Sequence, residues 1–397
     1  MLAYRLTRGS HPAVLLRRLL LACAAGGVGF LLLSALAYAV ARPSGAASAI
    51  PRLLWCAVPL VATVQLAVVV ARAEPSGRPP SGLDVAGMGP ARVPALAAVS
   101  AAAAGLLGSG AAWGLFLLLR GDLTSLPFHG AAADLLSAGG PLPLGATVTL
   151  LAVAPVAAAA ATALTLHARP ARRRTAYAVE AADFADAARA EPPLPVPTGL
   201  PWGTTLMGAG ISISAYASDD PVAVPPDGWL PLGGALGGAS PGMVTGWLLI
   251  AAGVVLAAPG LTHVCGLLLA TGRPGVLRLL AGRGLQEEAT RVGRPLGALS
   301  AACAAVLATL ELDGLGELGP LGVLGAATVL LCAMGSVATA ADQARSARRP
   351  ATALLLRLGA PRGLLRRSAM LRTAVLLAVF LPLTWLAAQM ITLPTGR

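Results

Sequence analysis

Residues 348–390 read RRPATALLLRLGAPRGLLRRSAMLRTAVLLAVFLPLTWLAAQM. The first part is rich in arginine and in leucine, and Gly359-Ala360-Pro361 interrupts it. From Thr373 to Met390 no charge appears, and this run is close to the roughly 20 apolar residues a helix needs to cross a hydrocarbon core. Leu354, Leu355, Leu356 and Leu358, with Leu364 and Leu365, supply the apolar face of a helix on either side of the break. Arg362, Arg366 and Arg367 then lie near one another on the next turns. The stretch therefore predicts a basic helical elbow at a membrane surface, joined to a membrane span without a linker.

The rest of the chain has the same character. Of its 397 residues 56% are hydrophobic and only 12% charged, and the mean hydropathy is +0.76. Such a composition excludes a soluble globular domain and predicts an all-α polytopic integral membrane protein. The formal charge of +12 does not point to nucleic acid. The arginines stand in short clusters beside apolar runs, which is how membrane topology is encoded, so no nucleic-acid partner is expected. Cys23, Cys56, Cys265, Cys303 and Cys332 all fall within apolar runs, without metal or redox spacing, and read as small buried hydrophobes. The first apolar run is long and lacks a convincing cleavage site before the next, so it reads as a retained span.

Eight runs are long enough to cross: 18–41, 52–72, 95–119, 143–167, 244–271, 295–311, 320–341 and 371–391. The arginines orient them. Arg5, Arg8, Arg17 and Arg18, then Arg72, Arg78 and Arg92, then Arg169 and Arg172 to Arg174 belong on the cytoplasmic side. So do residues 272–294 and the elbow itself. The stretch 168–272 must then leave the cytoplasm and return, which requires an even number of crossings. One is evident, and the more polar LPWGTTLMGAGISISAYA (200–217) is the expected other, its small residues suiting close contact with another helix. The expectation is about nine spans, with a cytoplasmic N-terminus and an extracytoplasmic C-terminus.

An internal repeat follows from the same elements. GMGPARVPALAAVSAAAAGLLG, from Gly87, has the layout of LGAPRGLLRRSAMLRTAVLLAV, from Leu358; aligning Pro90 with Pro361 gives an offset of 361 − 90 = 271. LAYRLTRGSHPAVLLRRLLLACAAGG, from Leu2, matches LAGRGLQEEATRVGRPLGALSAACAA, from Leu280, with Arg5 on Arg283 at 283 − 5 = 278. Each copy has an arginine-bearing lead-in, a span, a short outer loop, a return span and a basic Gly/Pro element, as parallel repeats require. The expected organisation is a first module at 1–170 with four spans and an acidic, Pro-rich linker with connecting spans at 171–272. A second module at 273–397 has three spans and lacks a final one.

RSARRPATALLLRLGAPRGLLRRSAMLRTAVLLAVF resembles the signature of the FtsX-like (MacB-type) permease family of ABC transporters. GWLLIAAGVVLAAPGLTHVCGLLLATGRPGVLRLLAGRGL resembles the passage between the halves of its large actinobacterial two-module members. The resemblance implies a permease subunit that contacts a separate ABC ATPase through Arg357, Gly359, Ala360, Pro361, Arg362, Arg366 and Arg367, with Gly87, Pro90 and Arg92 as a weaker copy. Two features depart from the family. The loops 42–51 and 311–320 stand where large external domains are usual, and the closing span of the second module is missing. The first-half element is also less basic, with Asp84 and Met88.

Other motifs carry no chemistry. Without any Lys there is no phosphate loop, so no enzymatic activity is expected of this chain and ATP hydrolysis would belong to a partner. GASPG (238–242) spells a nucleophile elbow, but Pro241 has no N–H to offer an oxyanion. GLGELG (314–319) has no strand before it and places Glu317 where phosphate would be repelled. His11, His129, His167 and His263 are scattered, and neither metal nor cofactor is expected. Thr147, Thr149, Gln65, Thr309 and Gln389 are the polar candidates within spans, readable as helix-to-helix hydrogen-bonding groups. Residues 175–199 begin as an acidic helix and end in prolines, either a solvated segment or a second contact for a basic ATPase face. The expected function is a permease coupling ATP hydrolysis by a partner to export or mechanotransmission in the cell membrane; the alternative is a non-transporting scaffold or regulator. Expected partners are the ATPase, the lipid bilayer, whose anionic headgroups the elbow could also bind, and a second copy of the chain.

Overall fold

The computed structural model describes residues 12–42, 46–73, 92–122, 132–133, 136, 142–183, 197–219, 238–271, 275–312, 319–359 and 361–393. Among the described residues the regular structure is α-helical, in nine helices: α1 Pro12–Ala41, α2 Ala46–Ala73, α3 Arg92–Arg120, α4 Leu144–Asp183, α5 Gly199–Asp219, α6 Pro241–Ala270, α7 Val276–Leu312, α8 Pro320–Arg357 and α9 Arg362–Thr392. Eight of them, all but α5, are long and apolar enough to cross a membrane. This is a multi-pass helical membrane protein. The eight match the eight apolar runs of the sequence to within a residue where a run ends outside its helix, and large side chains such as Leu107 (74% exposed) and Leu164 (70% exposed) cover their outer faces, as contact with lipid requires.

Helix α5 occupies the expected ninth position. Its 21 residues make a rod of about 31 Å, but it has no stretch as apolar as the spans within the other eight. Trp202 and Tyr216, both exposed, stand near its two ends, the positions aromatic residues favour at membrane interfaces.

Several helices outrun the spans read from the sequence. α7 begins at Val276, so the arginine-bearing lead-in and the span form one helix with Pro295 inside it. α8 carries on past its span through Pro350 to Arg357, and α4 past its own to Asp183. Once a helix exists each further residue other than proline adds a hydrogen bond, so the Ala-, Arg- and Leu-rich residues around Pro170 and Pro350 carry these extensions past the spans.

The helices form two compact units. Unit 1 comprises residues 1–191 with 320–336, and unit 2 comprises 192–319 with 337–397. The first part of α8 thus belongs with α1 to α4, and its later part with α5, α6, α7 and α9. In unit 1, α3 lies along α1 and α4; Phe30 and the fully buried Phe116 meet edge to face with ring centroids 5.7 Å apart. The Thr328 side chain of α8 fills the space beside Gly27, and the Sγ of Cys332 lies 3.5 Å from the Thr63 hydroxyl.

In unit 2, α6 is flanked by α5 and α7, and α9 lies on α7. Met207, Ile250, Val254, Ala304, Ala308, Ala387, Ala388 and Ile391 form its core. The α5–α6 seam is lined by small residues. A Cβ on Gly203 would stand 2.6 Å from the Gly253 carbonyl oxygen, and one on Gly210 2.6 Å from that of Gly246. Lipid provides no hydrophobic drive for helices to associate, so this close approach supplies the attraction through dispersion. The same pairing occurs in both units: α1 on α3 and α7 on α9, each joining a lead-in helix to the helix after the Gly/Pro element.

Candidate functional site

The elbow is built by the end of α8 and the start of α9. α8 finishes with Arg357, and the Leu358 N–H donates to the Leu354 carbonyl at 3.0 Å. Gly359 then turns to φ +89° while its N–H donates to the Leu356 carbonyl at 3.1 Å. A left-handed residue just past a helix end is the usual glycine cap, since other L-residues pay a steric penalty there. Pro361, with φ −68° and ψ 133°, caps the start of α9, and its carbonyl accepts from the Leu364 N–H at 3.0 Å. Proline suits this place because the first N–H groups of a helix have no partner to lose.

Around this turn the predicted residues are gathered on a short length of chain. Arg357, Gly359, Pro361, Arg362, Arg366 and Arg367 are all exposed, as are Leu354 (59%) and Leu358 (75%). Ala360 lies outside the described residues. Ser368 is the first fully buried residue of α9, and its hydroxyl donates to the Leu365 carbonyl at 2.8 Å. From there α9 runs unbroken into its span. Arg362 and Arg366, four residues apart, share a helical face, so the element presents cations and leucines together.

In the first copy, Gly87 and Pro90 lie outside the described residues. Arg92 is the first residue of α3.

Behind the elbow lies a group of charges that the sequence reading did not single out. The Arg348 guanidinium forms an ion pair with the Glu288 carboxylate, the two side chains being 30% and 15% exposed. The Arg372 Nε donates to the Ser368 carbonyl at 3.3 Å, and its guanidinium fills the notch left by the missing side chain of Gly284. Glu287, the exposed neighbour of Glu288, adds negative charge on the same side of both arginines. The one available signal was the acidic pair Glu287-Glu288 within an otherwise basic lead-in.

The remaining candidates have local roles. Ser240 caps α6, its Oγ accepting from the Met243 N–H at 3.3 Å, with Pro241 at the first helical position. GASPG is therefore a helix start. Thr147, Thr149 and Thr309 donate to carbonyls of their own helix turns, at 3.1, 2.9 and 2.7 Å, rather than to a neighbouring helix. Gln389 does reach across, its amide donating to both Glu311 carboxylate oxygens at 3.0 Å. The GLGELG residues 314–318 lie outside the described residues. Among the described residues no three His, Cys, Asp or Glu side chains converge as metal ligands would.

No protein-family model matches the chain, and no curated protein or solved structure shows similarity to it.

Proposed function

We propose that this chain is a membrane-spanning permease subunit of an ABC transporter, of the FtsX-like kind, in the cell membrane. The elbow would be the place where a separate ATPase docks. The supporting observation is the exposure of Arg357, Arg362, Arg366 and Arg367 around a glycine-capped turn between two helices that both continue into spans.

The physical chemistry of that arrangement suits force transmission. Exposed cations beside leucines fit a groove with acidic walls and an apolar floor, where charge sets orientation and approach and apolar contact adds affinity. The two arms are stiff helices, so a displacement of the turn moves the inner ends of α8 and α9 directly. A flexible linker at either place would absorb it. ATP hydrolysis in the partner then changes the arrangement of spans, giving export or mechanotransmission.

The reading is tested by purifying the chain from native membranes in mild detergent, beside the variant Arg362→Glu/Arg366→Glu/Arg367→Glu. The expected result is an ATPase with a phosphate loop that accompanies the wild type and is lost with the variant. Absence of any ATPase from the wild type would favour a scaffold without transport.

A further inference from the structure

The exposed arginines of the elbow contrast with two partly buried ones, Arg348 on α8 and Arg372 on α9. These two are placed alike on the arms. Arg348 is ten residues before Leu358 and Arg372 eleven after Pro361, so each stands about 15 Å along its helix from the turn. Both meet α7. Gly284, Glu287 and Glu288 are spaced i, i+3 and i+4, which puts them on one face of that helix. Glu288 pairs with Arg348, Arg372 lies over Gly284, and the exposed Glu287 adds negative charge on the same side of both cations.

We propose that Gly284, Glu287 and Glu288 form an ionic latch on α7 that holds both arms of the elbow, through Arg348 and Arg372, and so fixes where the turn is presented. Arg348 and Arg372 carry like charge, and the carboxylates of α7, Glu288 in direct contact with Arg348, offset it where each arm approaches that helix. The Arg348–Glu288 pair is partly desolvated, so its attraction is stronger than between exposed charges, and removing Glu288 leaves Arg348 with only the exposed Glu287 to offset its charge. Gly284 is part of the device, because a side chain there would occupy the space of the Arg372 guanidinium. Glu287 and Glu288 are positioning residues, and the exposed arginines remain the docking residues. The latch lies within unit 2 and does not depend on the identity of the partner.

The test is hydrogen–deuterium exchange of the full chain in nanodiscs of uncharged phosphatidylcholine, read over residues 351–366 without any ATPase. Glu288→Arg should speed exchange of this segment by about tenfold or more, because its amides then open locally rather than with the helix bundle. The swapped pair Glu288→Arg/Arg348→Glu should return exchange to within about twofold of wild type, and Arg278→Glu, an exposed site on α7 outside the latch, should leave it unchanged. A single reversal without effect, or a swap that exchanges as fast as the single variant, overturns the proposal. Should Glu288→Arg not fold, Glu288→Gln and Arg348→Gln give the same comparison, each expected to speed exchange; no change in either overturns it. Loss of the latch would leave the docking reading standing, and failure to find an ATPase would leave the latch standing.

Discussion

Replacing Gly246 by alanine probes the seam on which unit 2 is built. The added Cβ would stand 2.6 Å from the Gly210 carbonyl oxygen, 2.8 Å from the Ser214 Cβ and 2.9 Å from the Ser214 N. None of these can swing aside, since two are backbone atoms and the third is bonded to the backbone. Ordinary contact begins at 3.4 Å, so α5 and α6 must part locally by 3.4 − 2.6 = 0.8 Å. Overpacking of this kind costs about 1–3 kcal/mol, and the neighbouring contacts of Gly203 and Gly253 would loosen with it. Melting in detergent should then fall by roughly 2–10 °C. Gly208→Ala on α5, the other helix of the seam, is the control, because nothing lies within 4 Å of its added Cβ. Alanine is the better helix former, so that variant should melt within about 2 °C of wild type or above it. Equal melting of Gly246→Ala and wild type, or an equal fall in both variants, would refute the seam as the source of cohesion.

A reporter inserted between α5 and α6 should read as extracytoplasmic if α5 crosses the membrane, and a cytoplasmic signal would remove the ninth span. Gly359→Val should raise tryptic cleavage at Arg357 and Arg362 about 5- to 30-fold, since the φ of +89° costs a branched residue roughly 1–2 kcal/mol. Gly359→Asn, which tolerates that conformation, should stay near wild type. Thr63→Val removes a fully buried hydroxyl that donates to the Pro59 carbonyl at 2.8 Å, and should lower stability by about 1 kcal/mol in a detergent unfolding assay. The exposed Thr149→Val should change it by less than about 0.5 kcal/mol.

The spans were legible because uninterrupted apolar runs bounded by arginine have few other uses. Helix α5 could be read as helical from its length and as protein-facing from its glycines, and Gly203 and Gly210 do line the seam with α6. The elbow turn was legible from Gly359 and Pro361, whose backbone preferences leave few alternatives. Helix ends were less so, because nothing in the α7 lead-in separates a surface helix from the beginning of a span. The association of residues 320–336 with unit 1 depends on contacts between distant stretches, such as Thr328 with Gly27, which no local pattern encodes. The ion group was hidden for the same reason. Arg348 looks like Arg349 in the sequence, and only the approach of α7 gives one of them a carboxylate.

The central claim is that the elbow is a docking site for an ATPase, and photo-cross-linking tests it most directly. A benzoyl-phenylalanine placed at Arg362 or at Arg366, activated in native membranes and followed by mass spectrometry, reports what lies within reach of the turn. The account predicts an adduct with an ATPase chain carrying a phosphate loop, and none from the same probe at the lipid-facing Leu107. Adducts with phospholipid alone at all three positions would contradict it.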